Sequence, residues 1–563
     1  MALLKLFSGN QAKRGYSDFR DAAACRTWLQ GQGRPGSPEL MAAIADFLRA
    51  ARQDESAPLA RVAILEVLRV AVHVALREHT EQDEFRALPL STAEGTPLWG
   101  LLDTAGLLRD AWFALVPLLA DVPPQPHDDR PQVTALHRAI DLHAQILMLC
   151  LVLRVAVPEF AWDLHCVLGQ KVRELDAHDL ARPDPHHAVV TQNCREAFVA
   201  PVYLALADPA VLNRSELQLM RAFARRYAGR VAYRIDPLGA TTRPSARPAV
   251  NPGPVVRLGQ YQARFDSQRV YVSLEKRLEA LDQGTTPAQM GFGERLSMAG
   301  ARTLILRMMR VWGAVQVDNI DAPETHWEAP ACDETLALLT NSIAPAAAGK
   351  KGAMPAANVN VYTYRRERRD GLTRSRESME KSRATDLLAA AETWRVAGAV
   401  GDLLWCVRRQ AKPGVIVSQL VVLKEGGRDA GPPLRLGYVE GLQQIVQQDG
   451  EGRIRPALDH NVRVRLMPGL PVRIGAAVDG AEFERPLLVL DGPIEEMAQI
   501  AIEDIADLVR GNPGICSLIL PLATFRPGRE LRIVVAGRAV KLVCHELLFR
   551  GLDFDQIRFK LLP

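Results

Sequence analysis

A chain of 563 residues exceeds what one hydrophobic core usually organises, so several domains are expected. Its 48% apolar and 24% charged residues exclude a disordered chain. With 69 basic against 65 acidic residues and a net charge of +4, a general affinity for nucleic acid is excluded too, and only local clustering could supply one.

The first residues, MALLKLFSGN, form too short an apolar run for a signal peptide. The stretch SPELMAAIADFLRAARQ (37–53) carries a helix start signal, Ser then Pro and Glu. Leu40, Met41, Ile44, Phe47 and Leu48 follow on one side. APLARVAILEVLRVAVHVALREH, LWGLLDTAGLLRDAWFALVPLLADV and VTALHRAIDLHAQILMLCLVLRVAV repeat the pattern, with breaks such as DVPPQPHDDRP between them. The most apolar stretch, residues 144–162, is interrupted by Arg154 and stopped by Pro158, which predicts a buried helix and no membrane span. These signals predict an all-helical domain over 18–232.

A Pro/Gly-rich connector at 236–254 opens a small mixed α/β segment, so that 233–318 forms the second region. Residues 319–388 read as linker-rich, with Ala, Pro and Gly dominating 343–360. Within them YRRERRDGLTRSRE (364–377) places six arginines in fourteen positions. From 389 to 563 short Val/Ile/Leu-rich runs dominate. Alternation is clean in VRVRL (462–466), and RPGRELRIVVAGRAVKL reads as a hairpin turning at Ala-Gly-Arg. Many closely spaced strands predict a small antiparallel or split barrel, interrupted by one helix in IEEMAQIAIEDIADLVRG.

SLILPLATFRPGRELRIV, followed by VKLVCHELLFRGLDFDQIRF, resembles the C-terminal end of large PilZ-related proteins of Betaproteobacteria. LALADPAVLNRSELQLMRAFARRYAGRV (204–231) resembles a helical segment upstream of the barrel in the same proteins. The resemblance implies a PilZ-like antiparallel β-barrel over 389–563 and, in members that bind it, cyclic di-GMP held by an RxxxR motif. Arg365 and Arg369 fit RxxxR, and Arg366 with Arg368 thickens the patch. The partner motif, D/NxSxxG, is absent between 370 and 420, where WRVAGAVGDLLWCVRR stands in its expected place.

Guanidinium forks suit phosphodiester oxygens, because their paired donors are rigid and always charged. Against that, Glu367, Asp370, Glu377 and Glu380 offset the run, and mixed charges of this kind usually face water. Nucleic acid is the weaker use of the same charge, since Tyr362, Tyr364 and Trp394 make a thin stacking platform. Metal chemistry finds no HExxH, no Cys/His cluster and no calcium loop. His186 and His187 are adjacent in a loop, and His137 and His143 are separated around one helix. AGKKG (348–352) lacks the first glycine and the hydroxyl of a phosphate loop. Cys544 and His545 point to opposite faces of a strand, and the eight cysteines contain no CxxC pair.

The expectation is therefore a multidomain α + β, cytoplasmic, non-enzymatic regulatory protein. It needs no metal or cofactor, and its possible ligand is cyclic di-GMP at Arg365, Arg366, Arg368 and Arg369. A protein partner, or a second copy, would dock on the helical domain. A ligand-free scaffold with a degenerate PilZ-like barrel is the alternative, and a nucleic-acid-binding regulator or a hydrolase ranks below both.

Overall fold

The computed structural model describes residues 15–34, 36–82, 92–124, 130–180, 193–212, 214–239, 253–293, 296–313, 316–317, 334–339, 392–408, 417, 420–425, 435–448, 454–473, 475–478, 481–482, 487–490, 504–513, 516–521, 524–535, 538–551 and 554–562. One compact unit holds the described residues through 317 together with 446–448 and 454–456, and a second holds those of 334–445 and 457–562.

The first unit opens with helices α1 (Ala22–Gln32), α2 (Pro38–Ala50), α3 (Pro58–Gln82), α4 (Thr92–Leu118), α5 (Pro131–Val152), α6 (Glu159–Glu174), α7 (Cys194–Leu206) and α8 (Arg214–Ala228). Short polar side chains start several of them. Asp21 accepts from the Ala24 N–H, Ser37 from Leu40 and Asn193 from Glu196, each satisfying an otherwise orphaned first-turn donor. Leu40, Met41, Ile44, Phe47 and Leu48 are all buried on α2, as their spacing predicts.

Helix α5 lies at the centre, against α3, α4, α6 and α7. Among the described residues it is the one helix long and apolar enough to cross a membrane, and 89% of its apolar window is buried inside the protein. It closes where Arg154 takes a left-handed φ of 54° and the Val155 N–H donates to the Cys150 carbonyl at 2.8 Å. Gly169 lets α6 approach closely, because a Cβ there would run into the Phe198 ring and the Ile235 side chain.

After the helices come β1 (Ala232–Pro237), β2 (Val255–Leu258), β3 (Tyr261–Asp266), α9 (Gln268–Asp282), α10 (Met298–Val311) and β4 (Gln316–Val317). The four strands form a sheet in the order β1-β3-β2-β4, antiparallel except for the parallel β2–β4 pair. The indole N–H of Trp312 donates to the Tyr203 carbonyl at 2.8 Å, fastening the end of α10 to α7.

The second unit is built of strands in two groups. The first comprises β5 (Glu334–Leu339), β6 (Glu392–Val400), β7 (Leu403–Arg408), β8 (Leu420–Glu425), β9 (Arg435–Gln448) and β10 (Ile454–Leu466), in the cyclic order β10-β7-β6-β5-β8-β9. Trp394, Cys406, Val439, Leu442, Val462 and Val464 fill its interior. The alternation read in 462–466 is present: Val462 and Val464 are buried, and Arg463 and Arg465 are partly exposed.

The second group comprises β11 (Leu470–Arg473), β12 (Gly475–Val478), β13 (Ala481–Glu482), β14 (Leu487–Leu490), β15 (Cys516–Pro521), β16 (Glu530–Val535), β17 (Arg538–Arg550) and β18 (Phe554–Leu561). These form one open sheet in the order β11-β14-β15-β18-β17-β16-β12-β13. The hairpin read at 526–542 is β16–β17, paired from Val535↔Arg538 to Glu530↔Val543. Helix α11 (Ile505–Gly511) contributes Ile505 and Val509 to the core on one face of this sheet. On the other face Val489, Ile519 and Phe554 pack with Leu420, Leu436 and Met467, so the two strand groups share a core. Gly469 makes the junction, with φ 95° and so little room that a Cβ would strike the Leu490 carbonyl.

This arrangement corrects the expected fold. Residues 389–563 do not form a single PilZ-like barrel. Their strands are divided between two groups, the larger group is an open sheet ending at β11 and β13, and the smaller recruits β5 from 334–339. The physical reason is that alternation fixes which way a strand's side chains point, whereas its neighbours are chosen by contacts distant in sequence.

Candidate functional site in the helical body

Arg365, Arg366, Arg368 and Arg369 lie outside the described residues, as do His186, His187, Cys332 and the AGKKG stretch. Trp394, the nearby aromatic weighed as a stacking platform, is fully buried in the interior of the six-stranded group. Cys544 is buried and its neighbour His545 exposed, so they form no catalytic pair. The seven described cysteines are all free and buried.

The described residues instead bring polar chemistry together around α5. A helix enclosed on all sides has no outward face, so its polar residues must find partners within the protein. Arg138 donates from Nε to Glu66 on α3 at 2.7 Å. The other oxygen of Glu66 accepts from Arg69, whose Nη2 lies 2.8 Å away. One carboxylate thus bridges two guanidinium groups that are nearly inaccessible, at 1% and 6% side-chain exposure. One turn further on, Gln145 donates to Asp141 at 2.6 Å and accepts from His73 Nδ1 at 2.8 Å. Positions 138, 141 and 145 are three and four apart, so they form one polar stripe on α5 facing α3.

His143 points to a different side. Its Nε2–H donates to the Ala161 carbonyl at 2.8 Å, and its Nδ1 accepts from Arg109 Nη1 at 3.1 Å. That pairing requires neutral imidazole. Burial, the Arg109 guanidinium and neighbouring His165 hold its pKa well below the ordinary histidine value. His165 on α6 donates from Nε2 to the Phe198 carbonyl at 2.9 Å, and burial pushes its pKa down to about 4. From there a line of rings runs outward. His143 and His165 are 5.4 Å apart between centroids, His165 and Phe198 stack at 4.6 Å, Phe198 and Tyr233 stack at 4.2 Å, and Tyr233 meets His178 at 5.2 Å. His178 is partly exposed beside the Arg195–Asp179 ion pair of 2.6 Å, and burial lowers its pKa with help from Arg195.

Such groups suit packing better than turnover. A general base works best with a pKa near 7 and access to substrate, and the two buried histidines have neither. Burial raises the Cys166 thiol, so no nucleophilic thiolate stands beside them. No group of three or more His, Cys, Asp or Glu side chains that could hold a metal ion occurs among the described residues. What the network does is fix which faces of α3, α4, α5, α6 and α7 meet.

The same helices carry the comparison with known proteins. Residues 23–237 match the family "Cyclic-di-GMP receptor FimW, N-terminal domain". The match runs from α1 through β1, so the whole polar network lies inside the FimW-like segment. No curated protein and no solved structure matches the chain. The receptor likeness therefore rests on the helices. The expected sensing scheme, in which a PilZ-like barrel held the nucleotide, is incorrect along with the scaffold built on a degenerate form of that barrel, because the strands of 389–563 do not form one.

The apolar periodicity of HRAIDLHAQ, which predicts a core helix, hides the polar stripe within it. Its signal was present: Arg138, Asp141 and Gln145 share one helical face within an otherwise apolar run.

Proposed function

We propose that this chain is a non-catalytic regulatory protein acting in cyclic-di-GMP signalling, with the helical body as the module that contacts a protein partner or a second copy. The match of residues 23–237 to the N-terminal domain of a cyclic-di-GMP receptor carries this reading. Support comes from the buried network, which holds five helices in one arrangement suited to presenting a fixed surface. Arg365, Arg366, Arg368 and Arg369 enter as a proposed anion-contacting set that requires no PilZ-like barrel.

Hydrogen exchange on the full chain, with and without cyclic di-GMP, tests the proposal. The nucleotide is expected to change protection within 23–237 and to alter sedimentation of the chain or its complex. Unchanged exchange and unchanged sedimentation would remove the signalling role. Repeating the measurement with all four arginines replaced by alanine separates the two parts. A response that persists removes the arginines from the proposal and leaves the helical module standing.

A further inference from the structure

The open sheet has one face that changes character along its length. Near β14 and β15 it is apolar and covered, with Val489, Ile519, Phe549 and Phe554 in or against the shared core. Following β18 outward on this same face, Phe554 is succeeded by Gln556, then Arg558, then Lys560. Arg558 is answered by Glu546 across the β17–β18 pair at 3.1 Å. Beyond that point the cations are no longer balanced. Lys560 lies opposite Val543, and Arg532 lies directly opposite Lys541 in the β16–β17 pair. Arg532, Lys541 and Lys560 are all exposed, and none forms an ion pair with another described residue.

Like charges directly opposite one another destabilise an antiparallel pair, so Arg532 facing Lys541 is unfavourable in the free protein. Same-face neighbours along a strand stand about 7 Å apart and adjacent strands about 5 Å, which gathers the three cations into one small patch. Glu530, opposite Val543, is one of the acidic residues at its margin. Val543, partly exposed, lies between Glu530 and Lys560, and Val534, 36% exposed, flanks Arg532 on the side away from Glu530.

We propose that this face of β16–β17–β18 docks an acidic protein segment whose carboxylates alternate with aliphatic side chains. Carboxylates would separate Arg532 from Lys541 and reach Lys560, while the aliphatic groups cover Val534 and Val543. A single-stranded nucleic acid fits less well. Among the described residues the exposed part of this face offers no aromatic ring for base stacking, and Glu530 and Glu546 border it.

The test uses the full chain and a fluorescein-labelled peptide of alternating glutamate and valine, followed by fluorescence anisotropy. A lysine–valine peptide and a single-stranded oligonucleotide of equal length serve as comparators. The acidic peptide is expected to bind, and Arg532→Gln, Lys541→Gln and Lys560→Gln combined should weaken it about tenfold. Lys276→Gln, an exposed change on α9, should leave it unaltered, and added salt should weaken the parent protein's binding. Failure of the parent protein to bind, equal binding of the oligonucleotide, or equal affinity in the triple variant would each overturn the proposal. Matching circular dichroism spectra of the parent and variant exclude loss of fold as the cause of a weakened signal.

Discussion

The helical body and the strand unit place their charges in different ways. Helix α5 is surrounded, so Arg138, Asp141, His143 and Gln145 are held inside and satisfied by side chains from α3 and α4 and the backbone of α6. In β16 and β17 every second side chain turns outward, so Arg532 and Lys541 leave Leu531, Ile533, Val540 and Leu542 to fill the core. The lesson concerns cost. A polar residue on a central helix must be paired or it destabilises the fold, while one on a half-covered sheet can remain unpaired and available to a partner.

The hardest way to break this contrast is to remove the carboxylate that bridges Arg69 and Arg138. Glu66→Ala removes the carboxylate that two enclosed guanidinium groups share and should cost about 3 kcal/mol, read as a lowered urea midpoint of the helical body. In the strand unit, Gly469→Ala should cost about 2 kcal/mol, because the backbone there is left-handed and the added methyl group meets Leu490.

Acid should separate the two units next. His143 and His165 are neutral in the folded protein, with pKa values depressed below the unfolded value of 6.5. The unfolded chain therefore binds more protons as pH falls below about 6.5. The stability of the helical body is complete above that point and is lost progressively towards pH 4, by about 3 kcal/mol for His165. Denaturation midpoints measured from pH 7 to 4.5 check this, and His165→Gln should flatten the profile. The smallest effect belongs to the surface. Lys541→Glu converts a cross-strand repulsion into an attraction and should stabilise the free protein by about 0.5 kcal/mol, seen as a raised melting temperature.

Much of the fold was legible. The α2 stripe, the alternation at 462–466 and the hairpin at 526–542 each depend on neighbours a few residues apart, and each is present, whereas the apolar stretch 144–162 is buried only in part, since α5 ends at Val152 and Glu159 and Phe160 are exposed. Sheet membership was not legible. β5 pairs with β6 across more than fifty residues, and β12 takes β16 as a partner, choices that no local pattern encodes. The polar centre of the helical body lies between these cases. Its α5 stripe is written in the helical repeat, but Glu66, His73 and Arg109 join it only through tertiary packing.

Gly469 joins strand groups that hold Leu420, Leu436, Met467, Val489, Ile519 and Phe554 in common. Each group has a core of its own, but this third cluster is covered only where the two meet, so a truncation ending after β10 would uncover aliphatic surface that the remaining strands cannot hide. Expression fragments should therefore keep 334–562 together. On denaturation the two groups should melt in one transition, while a fragment of either should aggregate.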